Sequence, residues 1–199
     1  MLSTSRSRVR ALAVVSLAVV VTATIGTVAY NASAAEVSAP AAPAAFGPDA
    51  YPVSTPWIPA AIQPPAGSRP IGTYVVAQGT QNYTCGSDGT AGVYGKAVPE
   101  AQLVGTGGRI HHFGGPSWQS ESDSSLVTAK KLGDSPRAGA IPELLLQVTS
   151  HAGQGILDKA DYISRLQTSG GVAPASCQAD EKASVPYHAV YIFWDAPSA

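Results

Sequence analysis

The chain has 199 residues, 45% hydrophobic and 13% charged, with 20 Gly, 16 Pro, two Cys and a formal charge of −1. That apolar fraction supports a folded core and excludes a wholly disordered chain. With a single uninterrupted apolar stretch it is not a multi-span membrane protein, and its charge does not suit a basic nucleic-acid binder.

Arg6, Arg8 and Arg10 open the chain without an acid, a dense apolar run follows over 11–21, and Ala32-Ser33-Ala34 closes the segment with small residues. These are the three parts of a secretory signal peptide, here residues 1–34 with cleavage after Ala34. An uncleaved anchor is the competing reading, since the uncharged stretch reaches the ~20 residues that span a bilayer. Thr22, Thr24, Gly26, Thr27 and Asn31 thin its second half and favour cleavage. The expected location is therefore secreted, with no membrane span left in the mature chain. Cleavage removes three Arg and lowers the basic count from 12 to 9 against 13 acids, a net charge near −4. Nucleic acid is not an expected partner of such a chain.

An Ala/Pro-rich spacer follows over 35–56, and nine of the 16 prolines fall between Ala35 and Pro70. At that density neither a helix interior nor a central strand can form. Trp57 and Ile58 are larger than a spacer needs, and they are expected to pack on the domain as an extended strap. The domain itself, 57–199, is short apolar segments punctuated by Gly, Ser, Asp and Pro. Strands are expected at 72–78, 81–85, 92–95, 101–105, 109–113, 125–131, 143–149, 161–167 and 187–194. Residues 141–148 also admit a short helix, although their length suits a strand better. In the last segment Tyr187, Ala189, Tyr191 and Phe193 share one face, and His188, Val190, Ile192 and Trp194 the other. The pattern predicts an all-β fold: a single antiparallel β-sandwich or barrel-like domain with little helix.

Cys85 and Cys177 are the only cysteines. In an exported chain they imply one disulfide; a reactive thiol is the alternative, and the absence of any CxxC pair argues against metal. The Gly105-Thr106-Gly107-Gly108 run lacks both the final small residue and the helix of a dinucleotide fingerprint, so it is a turn between strands and no cofactor is indicated. Gly115-Pro116-Ser117-Trp118-Gln119 fails as a nucleophile elbow in the same way. His111 and His112 are adjacent on a strand and point to opposite faces, which argues against a shared metal: one should lie inward and hydrogen-bonded, the other at the surface. Asn82-Tyr83-Thr84 fits a glycosylation sequon.

Four stretches are distinctive as a set: Gly79-Thr80-Gln81-Asn82-Tyr83-Thr84-Cys85; His112-Phe113 with Gly115-Pro116-Ser117-Trp118; Arg165 through Pro174 with Cys177; and Val185 through Phe193. In this order the chain resembles the domain-of-unknown-function family 3455, secreted proteins of actinobacteria and fungi, from about Trp57 to Trp194. The resemblance implies export and a compact β-rich domain. It brings no established activity and no catalytic residues.

The sequence thus points to an extracellular, non-enzymatic binding module for a small molecule, a glycan or a surface partner. A secreted hydrolase using His111 or His112 with a spatially adjacent acid is the alternative. The candidate binding residues are His112, Trp118 and Arg165, on the 114–119 loop and beside the 168–174 turn, where Gly and Pro fix the backbone. Trp118, and less so Tyr94, are candidate exposed stacking faces, with core packing the equal alternative for Trp118, and His112 is expected to titrate near neutrality. Because nothing before about Tyr51 carries a core pattern, a chain begun at Tyr51 should melt within a few degrees of one begun at Ala35. Calorimetry of the two checks this.

Overall fold

The computed structural model describes residues 56–198. The signal peptide and all but the last residue of the spacer lie outside the described residues. Eight strands follow in chain order: β1 (Arg69–Thr84), β2 (Val98–Gly105), β3 (Gly108–Phe113), β4 (Ser117–Ser120), β5 (Leu126–Ser135), β6 (Glu143–Ala152), β7 (Tyr162–Gly170) and β8 (Lys182–Asp195). Each pairs antiparallel with the next, and β8 pairs back with β1, so the sheet closes into an up-and-down barrel. The sequence-based expectation of an all-β, barrel-like domain holds, and the sandwich form of it does not. The only helical piece among the described residues is a 3-10 turn, Ala60–Ile62.

Two expected strands, 72–78 and 81–85, are one. β1 runs through both, with register shifts near Gln78 that bend it around the barrel. Gly79 permits the bend: a Cβ there would stand under 3 Å from Ala101, Val76 and the Tyr187 ring. Residues 92–95 are loop, with a single bridge from Tyr94 to Cys85. β4 was not expected, because its four residues hold one large apolar side chain between serines. It forms because His112 opposite Trp118 and Val127 opposite Trp118 complete the ladders on either side.

Alternation along the strands separates two apolar layers. Tyr187, Ala189, Tyr191 and Phe193 of β8 face the barrel interior with Leu103, Ile110, Trp118 and Ile163. Val190, Ile192 and Trp194 face outward, where Leu145 and Leu166 join them and Ile58 and Ile62 cover them. Burying each such side chain fully contributes about 1.5–3 kcal/mol. Only part of the expected strap does this. Ile58 and Ile62 pack, whereas Trp57 is 82% exposed. The turn closed by the Ile62 N–H to Pro59 O bond puts Ile58 and Ile62 on one side and leaves Trp57 on the other.

The two ends of the barrel differ. At one end the loop after β6 turns Leu157 and Ile156 onto the interior cluster. Asp123 fastens that loop: its carboxylate accepts from the Ser125 N–H and hydroxyl and from the Ile156 N–H. These bonds hold the Asp123 carboxyl well below the usual range. At the other end lie the loops after β1, β3, β5 and β7. There Cys85 and Cys177 are bonded across 92 residues, with Cα atoms 5.9 Å apart. The Tyr83 hydroxyl donates to Gly171 O, a second tie between the same two loops. The double substitution Cys85→Ser/Cys177→Ser should lower unfolding free energy by about 2–5 kcal/mol in urea titration, with the m-value little changed. Unreduced, denatured protein should show no free thiol.

Candidate functional site

A cavity of about 340 Å³ opens at the disulfide end of the barrel. Residues brought there by β1, β2, β3, β4, β6, β7 and β8 line it, with Pro116 and Pro142 from two of the loops. The 114–119 and 168–174 segments therefore lie at the same end of the domain. His112, Trp118 and Arg165 all line the cavity, as do Gln81, Tyr83 and Tyr191. His111 does not.

Trp118 is not the exposed platform that the sequence suggested. It is 1% exposed, because β4 is a strand and its register turns the indole inward. His112 stacks on it with ring centroids 4.3 Å apart and planes within 3°. Tyr191 meets both rings edge-on. Tyr94 is buried too, against Tyr83 and the disulfide. His112 does not titrate near neutrality either. Burial pushes its imidazole down to about 3, although its Nδ1, 2.8 Å from Ser117 O, is placed to donate there. It is neutral at pH 7, and if Nδ1 carries the proton, Nε2 keeps the lone pair.

His111, its neighbour, points outward from the barrel. Its Nε2 lies 2.6 Å from Glu100 Oε1, an exposed pair on the outer face of β2 and β3. Neither member lines the cavity, so the histidine that has an acid is remote from the cavity, and the histidine in the cavity has none bonded to it.

Arg165 leaves the middle of β7, in register with Leu144 and Tyr191, and lies on the interior face. Its Nε and Nη2 donate to Pro142 O at 3.2 and 2.8 Å, which aims the guanidinium toward the loop after β5. Two residues on, β7 bulges at Gln167, whose φ is 51°. The Glu143 carboxylate holds that bulge by accepting the Gln167 N–H, and Arg137 pairs with the same oxygen. The Thr168 hydroxyl donates to Ile141 O from the other side. A bulge at a barrel rim re-aims the strand around it, and this one is fixed by three side chains. The Arg165 charge favours the ionised forms of Tyr83, Tyr187 and Tyr191 and opposes protonation of His112.

Two more groups complete the lining. Gln81 Nε2 and Trp118 Nε1 are both buried without a hydrogen-bond partner. Sequence reasoning missed Gln81 and Tyr191. The available signal was parity: Gln81 and Tyr83 alternate on β1 as Tyr187 and Tyr191 do on β8.

Residues 105–195 match the model of a family described as "Protein of unknown function (DUF3455)". The resemblance to that family is thereby shown. The DUF3455 match runs from the end of β2 to the end of β8 and takes in His112, Trp118 and Arg165, while Gln81 and Tyr83 precede it. No curated protein and no solved structure matches the chain. No helix among the described residues is long and apolar enough to cross a membrane.

The unfolded chain protonates His112 near pH 6.5 and the folded one only near 3. Between those values the unfolded state holds more protons, so stability is complete above pH 6.5 and falls as pH drops, by up to about 1.4 kcal/mol per unit. His112→Asn keeps an amide donor for Ser117 O and removes that slope. Denaturant midpoints at pH 7 and 4.5 should therefore differ less in the variant than in the wild type, the carboxylate contribution being common to both.

Proposed function

We propose that the protein is an extracellular binding barrel that holds a small molecule in the cavity at its disulfide end. The observation that carries this reading is a pair of buried N–H groups lining the cavity: Trp118 Nε1, which has no protein partner, and Gln81 Nε2, which has none of good geometry and only the Tyr187 hydroxyl nearby. A buried donor left unsatisfied costs about 1–3 kcal/mol, so folded proteins seldom keep one without a ligand or water to accept from it. Size and shape agree. Eight-stranded barrels are wide enough for one small ligand when their interior is not filled, and this one is filled only at the Leu157 end. The cavity lies at the low end of the range for small-molecule sites, which suits a compact ligand better than a long lipid chain.

The neutral, stacked His112 and the outward His111–Glu100 pair favour binding over acid–base chemistry in this cavity. Thermal unfolding of the oxidised protein against a panel of small organic compounds tests the reading. A true ligand raises the melting temperature with concentration, by about 2.7 kcal/mol of stabilisation at a hundred times its Kd. Gln81→Leu should weaken the protection. Protection by no compound at millimolar concentration would refute the proposal.

A further inference from the structure

The same cavity carries information about the charge of its occupant, and the inference rests on the binding reading above. Among the described residues that line it, Arg165 alone is charged at neutral pH. No carboxylate pairs with it: the ion pairs of the described residues involve Arg69, Arg109, His111, Lys131 and Arg137. The carboxylate nearest in sequence logic, Glu143, is committed on the opposite face of β6 to Arg137 and the Gln167 N–H. A half-buried guanidinium held by one backbone carbonyl and placed beside the Tyr191 hydroxyl, with no carboxylate partner, keeps donors to spare and all of its charge.

The orphan groups around it are donors as well, Gln81 Nε2 and Trp118 Nε1. A cation would be repelled here, and a sugar would need acceptors as much as donors. A group that only accepts, and is negative, meets the guanidinium and both orphan N–H groups at once. Beside the aromatic polar groups of Tyr83, His112 and Tyr191, the lining is apolar, with Val98, Pro116, Ile141, Leu144 and Leu146. That surface takes a hydrocarbon body and no second charge.

We propose that the cavity selects small organic monocarboxylates with an apolar body, the carboxylate pairing with Arg165 and the Gln81 and Trp118 N–H groups serving as further donors. A planar guanidinium fork suits a carboxylate better than any other monoanionic group of that size.

Three probes of one shape and different charge decide it: cinnamate, cinnamamide and cinnamylamine, titrated calorimetrically into the oxidised full-length protein at pH 7. Cinnamate should bind at least about tenfold more tightly than the amide, a lower bound for a charge-assisted hydrogen bond, and the amine should bind least. Arg165→Gln should cost cinnamate far more than it costs the amide and so close the gap between the two, with Arg165→Lys in between. The ranking in the wild type stands even if Arg165→Gln loosens the Pro142 tether and fails to fold. An amide that binds as well as the acid, or neutral panel compounds that bind while cinnamate does not, would overturn the anion assignment and leave the binding barrel intact. No binding by the three probes or by any panel compound would overturn both.

Discussion

The rest of this structure depends on the closure of β8 onto β1. Eight strands in simple succession leave two edges, each a row of unpaired N–H and C=O groups, until the last pairs with the first. Here the first strand is 16 residues long, long enough to pair with β2 on one side and β8 on the other through most of the barrel height. It meets that geometry only by bending, and the bend depends on Gly79, where the Tyr187 ring takes the space of a side chain. Closure creates an inside, and having an inside makes the parity of each residue consequential. The same ladder that hides Ile110 also hides His112, and the one that presents Glu100 presents His111.

An interior made this way has to deal with polar groups, and the barrel handles them differently at its two ends. Near Leu157 the loop donors have acceptors close by: the Leu157 N–H goes to the Ser125 hydroxyl and the Ile156 N–H to Asp123, and the Ser68 hydroxyl is left over. At the disulfide end the backbone is satisfied, through Thr168 to Ile141 O and Tyr83 to Gly171 O, but side-chain donors are left over. The asymmetry coincides with the bulge in β7 and with the positive φ of Gln167, a strained position held by Glu143. Rigid backbone around unsatisfied side chains is the arrangement of a recognition site, since it lowers the entropy lost on binding.

What the sequence made legible followed from local pattern. The alternation of 187–194 predicts β8 and both of its buried faces, and adjacent His111 and His112 predict opposite surroundings. The glycines at 105–108 predict a hairpin turn, and Gly105 pairs with Gly108 across it. Two cysteines in a chain expected to be exported predict their bond. What stayed hidden depends on partners far along the chain. Trp118 sits in a four-residue strand that no periodicity can announce, and only its ladder partners fix the indole inward. The depressed titration of His112 follows from that same burial, so both expectations fail for one reason. Gln81 looked like a surface residue of a half-polar strand. Its burial follows from closure, which puts β8 and its tyrosines across from it. A match to a family without an assigned activity could not supply these contacts.

The plug at the Leu157 end has a kinetic meaning. With one end of the barrel filled by Ile156 and Leu157 and fastened by Asp123, whatever enters the cavity leaves by the path it took. The loops tied by the disulfide and by the Tyr83–Gly171 bond border that shared doorway. Loosening them lowers one barrier seen from both directions, so association and dissociation accelerate together. On the proposed binding reading, exchange of a bound molecule can then change severalfold while its equilibrium affinity stays where the interior of the cavity sets it.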